Sequence, residues 1–244
     1  MNLQEQKKSH NTRKNIISLH NVFFSYKSSS ASKNSAFLLR DVNFAIKEQQ
    51  SVGLIGDSGS GKSTLALIAA GLLRPSAGRV CHCGVEIYNR RLGMSIRRLQ
   101  SVQMLFQNPF AAINPRRKIK RWLRCAARYS KPNSKKITDG QLVELLESVG
   151  LQEKHLSRYP SELSGGECQK VCLATCLISE PKCIILDEPT TMLDNIAKNQ
   201  IMTVIQEVQN TKAISLITIS HDLAHLKKRS DTIYSLNHGQ LIEL

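Results

Sequence analysis

The sequence predicts an α/β fold with a mostly parallel core sheet, an antiparallel β subdomain and a helical subdomain. From residue 183 onward, short apolar segments alternate with helical ones, the pattern of parallel strands in a covered sheet. A buried strand, Ser51–Ile55, leads into a glycine-rich turn and an apolar helix. The β-rich segments at residues 16–26 and 37–46 precede this core and predict antiparallel strands beside it.

The remaining elements follow from local patterns along the chain. Residues 1–15 are polar and basic and predict a flexible tail, and residues 27–35 predict a surface loop. The apolar helix is predicted at residues 63–73. Residues 89–160 are helical in pattern, basic and less apolar, with an amphipathic helix at 141–149. The last five elements are predicted as strand, helix, strand, helix and strand, at residues 183–186, 195–209, 214–219, 223–228 and 232–236.

The chain of 244 residues carries a formal net charge of +15. This balance permits nucleic acid, an anionic membrane surface or phosphate ligands as partners. Only 5% of the residues are aromatic, which disfavours a stacking platform for single-stranded nucleic acid. Residues 116–136 contain ten Lys or Arg and no Asp or Glu. This basic run fits either a solvated helix face or a surface that attracts anionic lipids, and the sequence leaves both open.

Hydropathy and cysteine usage indicate a cytosolic protein. No apolar run reaches the ~18–20 residues that a membrane span requires, and the first residues contain no apolar core of a secretory signal. The seven cysteines therefore predict reduced thiols. The Cys-His-Cys segment at residues 81–83 lacks a second pair of ligands nearby, which disfavours a metal site. Cys168, Cys172 and Cys176 recur every four residues and predict small buried side chains along one helix.

The glycine-rich turn after Ser51–Ile55 matches the pattern G-x-x-x-x-G-K-[ST] of phosphate-binding loops. Glycines let backbone N–H groups converge on phosphate oxygens, and the following helix adds the partial positive charge of its N-terminus. We expect Lys62 to reach the β- and γ-phosphates of a nucleotide and Ser63 to hold Mg²⁺. The loop comprises Gly56, Asp57, Ser58, Gly59, Ser60, Gly61, Lys62, Ser63 and Thr64.

Two adjacent carboxylates end the apolar strand predicted at residues 183–186. Mg²⁺ prefers hard oxygen ligands and keeps several waters, so that a single carboxylate at the strand end suffices, and Asp187 fits that role. Glu188 is one residue further on and can act on an attacking water as a general base. In combination with the phosphate loop, these acids predict an enzyme that hydrolyses ATP with Mg²⁺ as its cofactor.

A further glycine-containing segment points to a family. Residues 163–167, Leu-Ser-Gly-Gly-Glu, resemble the signature of ATP-binding cassette (ABC) transporters, in which the last position is usually Gln. A helix N-terminus here offers N–H groups and the Ser164 hydroxyl to a phosphate. The resemblance implies that Ser164, Gly165 and Gly166 serve the ATP held by a second subunit, so that two domains enclose two nucleotides head to tail.

Other residues match this family's motifs in the family's order. Tyr26 matches the aromatic residue that stacks on adenine. Gln107 matches the glutamine that contacts Mg²⁺ or the attacking water and senses the transmembrane partner. Residues 191–194 match the loop that crosses the dimer interface, and His221 matches the histidine near the γ-phosphate. The resemblance implies one ABC-type P-loop ATPase domain over residues 16–244, with the helical subdomain at about residues 108–165.

Partners and location are implied by the same resemblance. Residues 102–116 are similar to the corresponding region of peptide and nickel importers, and residues 169–174 look like nickel-import ATPases in particular. Such importers usually pair two different ATPase subunits with two integral membrane permeases and an extracytoplasmic solute-binding protein, so a different second ATPase subunit is expected in preference to a further copy of this chain. The resemblance therefore implies a peripheral protein at the cytoplasmic face of the inner membrane, which energises uptake of nickel or of di- and oligopeptides.

An alternative function is a non-transport ABC ATPase that acts on nucleic acid. The charge of +15 supports it, but a single compact cassette disfavours it, and no nucleic-acid partner is expected. An inactive, regulatory cassette is disfavoured because Glu188 and His221 are both present. Four positions depart from the family pattern without removing a catalytic group: Glu167, Lys170, Thr175 and Met192.

Overall fold

The computed structural model describes residues 13–26, 37–89, 93–94, 100–130, 136–191 and 193–244. The predicted loop at 27–35, Met192 and most of the predicted N-terminal tail lie outside these residues. In chain order the strands are β1 (Asn15–Phe24), β2 (Leu39–Lys47), β3 (Ser51–Ile55), β4 (Ala77–His82), β5 (Val85–Glu86), β6 (Tyr88–Asn89), β7 (Gly93–Met94), β8 (Val102–Leu105), β9 (Cys183–Asp187), β10 (Ser215–Ile219), β11 (Thr232–Asn237) and β12 (Gln240–Glu243).

The helices of the described residues lie mainly between β3 and β4, and between β8 and β11. They are α1 (Lys62–Ala69), α2 (Pro109–Ala112), α3 (Ile119–Ser130), α4 (Asp139–Glu147), α5 (Gly165–Leu177), α6 (Asn195–Lys212) and α7 (Leu223–Lys227), with 3₁₀ turns at Glu153–Ser157 and Pro160–Glu162. None of the helices in the described ranges is long and apolar enough to cross a bilayer.

The larger sheet is mostly parallel, as predicted. In the described part of the chain it has six strands in the order β12-β11-β3-β10-β9-β8, and only the β11–β12 pair is antiparallel. A smaller antiparallel sheet has the order β2-β1-β4-β5. The sequence patterns predicted the strands β1, β2, β3, β9, β10 and β11 to within a few residues.

Two predictions about local structure are wrong. Residues 89–160 are helical in pattern and no strand was predicted there, but Val102–Leu105 forms β8, which pairs in parallel with β9. Four residues are too few to show strand periodicity, and pairing with a buried neighbour decides their conformation. The apolar helix was expected to continue to residue 73, but α1 ends at Ala69, where Gly71 adopts a positive φ of 76°.

Two hydrophobic clusters lie on opposite faces of the larger sheet. Successive side chains of a strand point to opposite faces, and β9 shows this division. Cys183 and Ile185 belong to the cluster shared with α1 and the antiparallel sheet. Ile184 and Leu186 belong to the cluster shared with α3–α6. The burial of β9 on both faces explains its continuous apolar sequence.

The register of the parallel strands places their carboxyl ends at one edge. In β10, Ile219 is paired with both Asp187 of β9 and Leu54 of β3. Leu105 of β8 is paired with Leu186 of β9. The segments that follow these strands therefore emerge side by side, where open α/β sheets bind their ligands.

Candidate active site

The phosphate loop connects β3 to α1 and depends on glycine at defined positions. Gly56, Gly59 and Gly61 have φ values of 156°, 79° and 104°. A Cβ atom on Gly56 would lie 2.5 Å from the carbonyl oxygen of Leu236, so the neighbouring strand leaves no room for a side chain. Asp57, Ser58 and Gly59 are exposed at the tip of the loop.

Lys62, the first residue of α1, is buried inside this loop. Its Nζ donates to the carbonyl oxygens of Gly56 at 2.9 Å and Asp57 at 2.7 Å. Burial lowers the pKa of Lys62, while the charges of Glu188, Asp187 and Asp57 act in the opposite direction. The lysine therefore lies between the loop backbone and the two acids, where an anionic ligand would compensate for its lost hydration.

The loop contains a buried hydroxyl that is suited to a phosphate ligand. Ser60 Oγ is buried and makes no hydrogen bond within the described chain. Buried polar atoms normally have partners, so an orphan at this position indicates a group that a ligand satisfies. Together with Lys62 and the positive φ angles at the glycines, Ser60 makes the loop fit a polyphosphate.

Ser63 and Asp187 form a pair of oxygen donors beside the loop. Ser63 Oγ donates to Asp187 Oδ1 at 3.3 Å, although 124 positions separate them in the sequence. Burial raises the pKa of the Asp187 carboxyl, and the hydrogen bond from Ser63 acts against this rise. A hydroxyl and a carboxylate are ligands that suit Mg²⁺, so the two residues fit the predicted metal position.

Glu188 is the centre of a hydrogen-bond network at the carboxyl ends of three strands. Its Oε1 is 2.6 Å from His221 Nε2, after β10. Its Oε2 accepts from Gln107 Nε2 at 3.3 Å, after β8, and from Thr191 Oγ1 at 3.0 Å. The backbone at Glu188 has φ 46°, a left-handed value that is unfavourable for a residue with a side chain.

Sequence reasoning missed Thr191 as a member of this network. The residue stood in the segment matched to the interface loop, but no role beside Glu188 was predicted for it. Its position three residues after Glu188, in a turn that contains Pro189, was the available signal. The turn is closed by the Thr191 N–H, which donates to the Glu188 carbonyl at 3.3 Å.

Tyr26 lies two residues after the end of β1 and is 61% exposed. Its hydroxyl is 3.2 Å from Thr64 Oγ1 in α1, and its ring makes an edge contact with Phe24 at 4.8 Å between centroids. The structure thus places this aromatic residue beside the helix that follows the phosphate loop. Thr64 is buried beneath it.

The signature segment caps α5 and remains separate from the phosphate loop. Ser164 Oγ accepts from the Glu167 N–H at 3.2 Å, and Glu167 Oε2 accepts from the Ser164 N–H at 2.8 Å. That backbone bond lowers the pKa of the Glu167 carboxyl, and buried His155, 3.2 Å away, adds to the effect. None of the hydrogen bonds of Ser164 in the described chain reaches residues 56–64.

Two of the departures from the family pattern, Lys170 and Thr175, make their hydrogen bonds away from Glu188. Lys170 Nζ lies 3.5 Å from the Gly150 carbonyl, and Thr175 Oγ1 is 3.1 Å from Trp122 Nε1. Cys168, Cys172 and Cys176 are buried along α5, as predicted. His82 is buried, with Nε2 2.7 Å from the Ala69 carbonyl.

A strand, a phosphate-binding loop and a helix, beside carboxylates at the ends of parallel strands, define a P-loop nucleotide-binding domain. The family model for ABC transporters matches residues 39–191. The chain belongs to the ABC transporter family.

Similar proteins agree with this assignment. The chain is 34% identical over 207 residues to an oligopeptide transport ATP-binding protein of Haemophilus influenzae, covering 84% of this chain and 62% of that protein. It is 31% identical over 220 residues to a peptide transport system ATP-binding protein of Salmonella typhimurium, covering 90% and 81%. The chain thus spans less than two thirds of the length of the first of these relatives.

Solved structures share the fold. The cassette cbiO1 of Clostridium perfringens, part of the ABC transporter complex cbiONQ, superposes with a TM-score of 0.77 at 26% identity, covering 94% of this chain and 87% of that chain. The ATP-binding cassette MJ0796, a dimer in a post-hydrolysis state bound to ADP and Pi, has a TM-score of 0.75 at 25% identity, covering 93% and 97%.

Proposed function

We propose that this protein binds and hydrolyses ATP as a subunit of an ABC importer. The observation that carries the proposal is the position of Glu188, held by Gln107, Thr191 and His221 beside Lys62 and Asp187. A carboxylate oriented by three side chains at the edge of a phosphate site is suited to take a proton from an attacking water.

Each side chain of the site has a distinct role in this proposal. Lys62 and the N–H groups of the phosphate loop bind the β- and γ-phosphates, and Ser60 Oγ gains a partner there. Ser63, Asp187 and Gln107 hold Mg²⁺, which when bound neutralises charge on the phosphate oxygens. His221 and Thr191 orient the Glu188 carboxylate toward the water. Tyr26 stacks on the adenine.

A second ATPase subunit completes each site in this proposal. The start of α5 offers phosphate-binding groups at Ser164, Gly165 and Gly166. The described hydrogen bonds of Ser164 do not reach the phosphate loop of the same chain. The position of these three residues at the N-terminus of α5 suits an anion approaching from another molecule. The dimeric form of the similar cassette MJ0796 supports this arrangement. The second subunit is either a further copy of this chain or a different ABC ATPase.

A cleft beside Gln107 is the proposed contact for an integral membrane permease. It measures about 290 Å³ and is lined by Leu72, Met104, Phe106 and Tyr129. Tyr129 is 79% exposed and Phe106 is 41% exposed, so the cleft offers apolar surface to a partner. The basic helix α3 carries Tyr129 and borders the same cleft. The protein would then work at the cytoplasmic face of the membrane, with an extracytoplasmic solute-binding protein in the same system.

Peptides are the proposed cargo, because the similar proteins from H. influenzae and S. typhimurium are peptide transport subunits. Nickel, which residues 169–174 favoured in the sequence, stays a prediction. Uptake of a labelled oligopeptide and of ⁶³Ni²⁺ by cells with and without the gene distinguishes the two. Peptide uptake that is unaffected by the deletion would contradict the peptide assignment.

The Glu188→Gln substitution tests the hydrolytic role. We expect phosphate release to fall by on the order of 10²–10⁴-fold, since the amide cannot accept the proton, while the affinity for ATP is retained. Glu147→Gln, at the exposed end of α4, is the control and should hydrolyse ATP at the normal rate. Normal hydrolysis by the Glu188→Gln protein would refute the general-base role.

Co-purification separates transport from a role on nucleic acid. Recovery of the tagged protein with integral membrane permeases supports the importer. Salt-sensitive recovery with RNA or DNA in place of permeases would favour the alternative, since phosphate contacts weaken steeply with ionic strength.

A further inference from the structure

Three side chains on one face of α5 contact backbone carbonyls on both sides of Gln107. Gln169 Nε2 is 3.5 Å from the Phe106 carbonyl. Cys172 Sγ is 3.6 Å from the Pro109 carbonyl, and Cys176 Sγ is 3.7 Å from the Met104 carbonyl. The three residues are spaced by three and four positions, so they lie along one helix face that runs beside residues 104–109.

These contacts are shielded from water. Gln169 is fully buried, and Cys172 and Cys176 are each less than a tenth exposed. Burial raises the pKa of Cys176 to about 12, and the neighbouring Cys168 together with burial raises that of Cys172. Both thiols therefore remain protonated at neutral pH and can donate to the carbonyls.

Gln169 is the member of this group that packing alone does not explain. Its Oε1 is buried and makes no hydrogen bond within the described chain. Its Nε2 is at a long distance from the Phe106 carbonyl, beyond the usual 2.7–3.2 Å or so. A buried amide with one weak bond and one unsatisfied atom is costly, and an apolar side chain of the same shape would avoid that cost.

The segment that Gln169 contacts carries a proposed catalytic group. Gln107 directly follows Phe106, and its side chain donates to Glu188. The same helix that carries Gln169 begins immediately after Ser164. Phe106 and Met104 also line the cleft beside α3. One helix thus connects the signature segment, the Gln107 backbone and the wall of the cleft.

We propose that Gln169 is a positioning residue that sets Gln107 against Glu188 through the Phe106 carbonyl, while Cys172 and Cys176 hold the backbone on either side of Gln107 against the same helix. The kinetic part of this inference depends on the proposed ATPase function, whereas the structural part does not.

The structural part is tested on the full-length chain by hydrogen exchange and thermal unfolding. Gln169→Met removes the amide and keeps the unbranched shape. We expect amides of residues 105–110 to exchange roughly fivefold faster, with a Tm that is unchanged or higher, because the unsatisfied Oε1 is gone. Thr175→Val is the matched control, because it removes a hydroxyl of the same helix that accepts a hydrogen bond from Trp122. This substitution should lower the Tm without changing amide exchange at residues 105–110.

The kinetic part is tested by a double-mutant cycle with Gln107→Ala. Gln169→Met alone should lower kcat roughly fivefold with little change in the KM for ATP, because the phosphate loop is untouched. In the Gln107→Ala background the same substitution should have no further effect, since Gln169 acts through Gln107. Equal effects in both backgrounds, or unchanged exchange at 105–110, would overturn the proposal. If exchange at residues 105–110 were faster in the Gln169→Met chain but the unsubstituted chain had no measurable ATPase activity, the result would instead count against the proposed function.

Discussion

The two glycine-containing loops of this chain use glycine for different reasons. In the phosphate loop, Gly59 and Gly61 have positive φ values, and the backbone conformation itself requires them. In the signature segment, Gly165 and Gly166 begin the helix α5 with no positive φ. A Cβ on Gly166 would be in ordinary contact with Ala197 at 3.4 Å. Nothing in the described part of the chain therefore requires glycine at position 166, and the proposed external phosphate ligand would account for it.

The same difference extends to the polar groups of the two loops. The phosphate loop is connected within the chain to Asp187 and, through the charge of Lys62, to Glu188. The Ser164 hydroxyl and N–H bond with Glu167, three residues away, and the Ser164 carbonyl accepts from the Cys168 N–H, so that the described hydrogen bonds of Ser164 stay within the start of α5. The phosphate loop belongs to a site that this fold assembles from distant residues. By contrast, Ser164 of the signature segment makes only local hydrogen bonds within the described chain. We therefore expect substitutions in the two loops to affect binding and hydrolysis differently.

The largest effect is expected from Lys62→Met. Loss of the buried ammonium should weaken ATP binding and lower hydrolysis, each by on the order of 10²-fold or more, since charge-assisted bonds to phosphate are lost. Binding of a fluorescent ATP analogue and phosphate release measure the two quantities. Lys47→Met, on the exposed end of β2, is the control. Retention of normal ATP affinity by the Lys62→Met protein would remove the phosphate loop from the proposed site.

Ser164→Asp should separate hydrolysis from binding. Asp caps a helix as well as Ser does, so the Tm should stay within about 1 °C. A carboxylate at this position repels a phosphate, and we expect hydrolysis by the assembled transporter to fall on the order of 10²-fold. Affinity of the isolated chain for ATP should be unchanged. Ser164→Thr, which keeps the hydroxyl, is the control, and a loss of ATP affinity in the Ser164→Asp chain would show that the signature serves its own loop.

A pair of glycine substitutions tests the comparison directly. Gly59→Ala should destabilise the chain by about 1 kcal/mol, although space is open there, because φ is 79°. Gly166→Ala should stabilise it by about 0.5 kcal/mol, yet lower hydrolysis in the assembly roughly tenfold. Denaturant unfolding measures the change in stability, and phosphate release measures the change in hydrolysis. If Gly166→Ala destabilised the chain, the explanation of this glycine by an external ligand would fail.

The smallest effect concerns pH. The pKa of Glu167 is lowered in the folded chain, so its stabilising contribution is present above the ordinary value of 4.5 and is lost as pH falls through the folded value. Glu167→Gln should therefore cost about 0.5 kcal/mol at pH 7. The difference in unfolding free energy between the Glu167→Gln chain and the unsubstituted chain should disappear when the pH is below the folded pKa of Glu167. A difference independent of pH would assign the effect to helix capping alone.

The sequence predicted this fold well where the signal is local. The strand, loop and helix at residues 51–69 and the apolar strand that ends at Asp187 have short apolar runs bounded by turn signals, a pattern typical of buried strands beside a phosphate loop. β8 was missed because four residues after a basic, polar stretch carry too little periodicity. β12 was missed too, since its residues pair antiparallel only with the neighbouring β11 at the edge of the sheet.

The sequence by itself determined the chemical groups of the candidate site and their order along the chain. The spacing of Lys62 and Ser63 within the phosphate loop is a local property that a short segment carries alone. Only the tertiary structure decided that Gln107 and His221 meet at Glu188, because the parallel register of β8, β9 and β10 brings their ends together. It also decided that Gln169 lies against Phe106, since that contact joins residues 63 positions apart through helix packing.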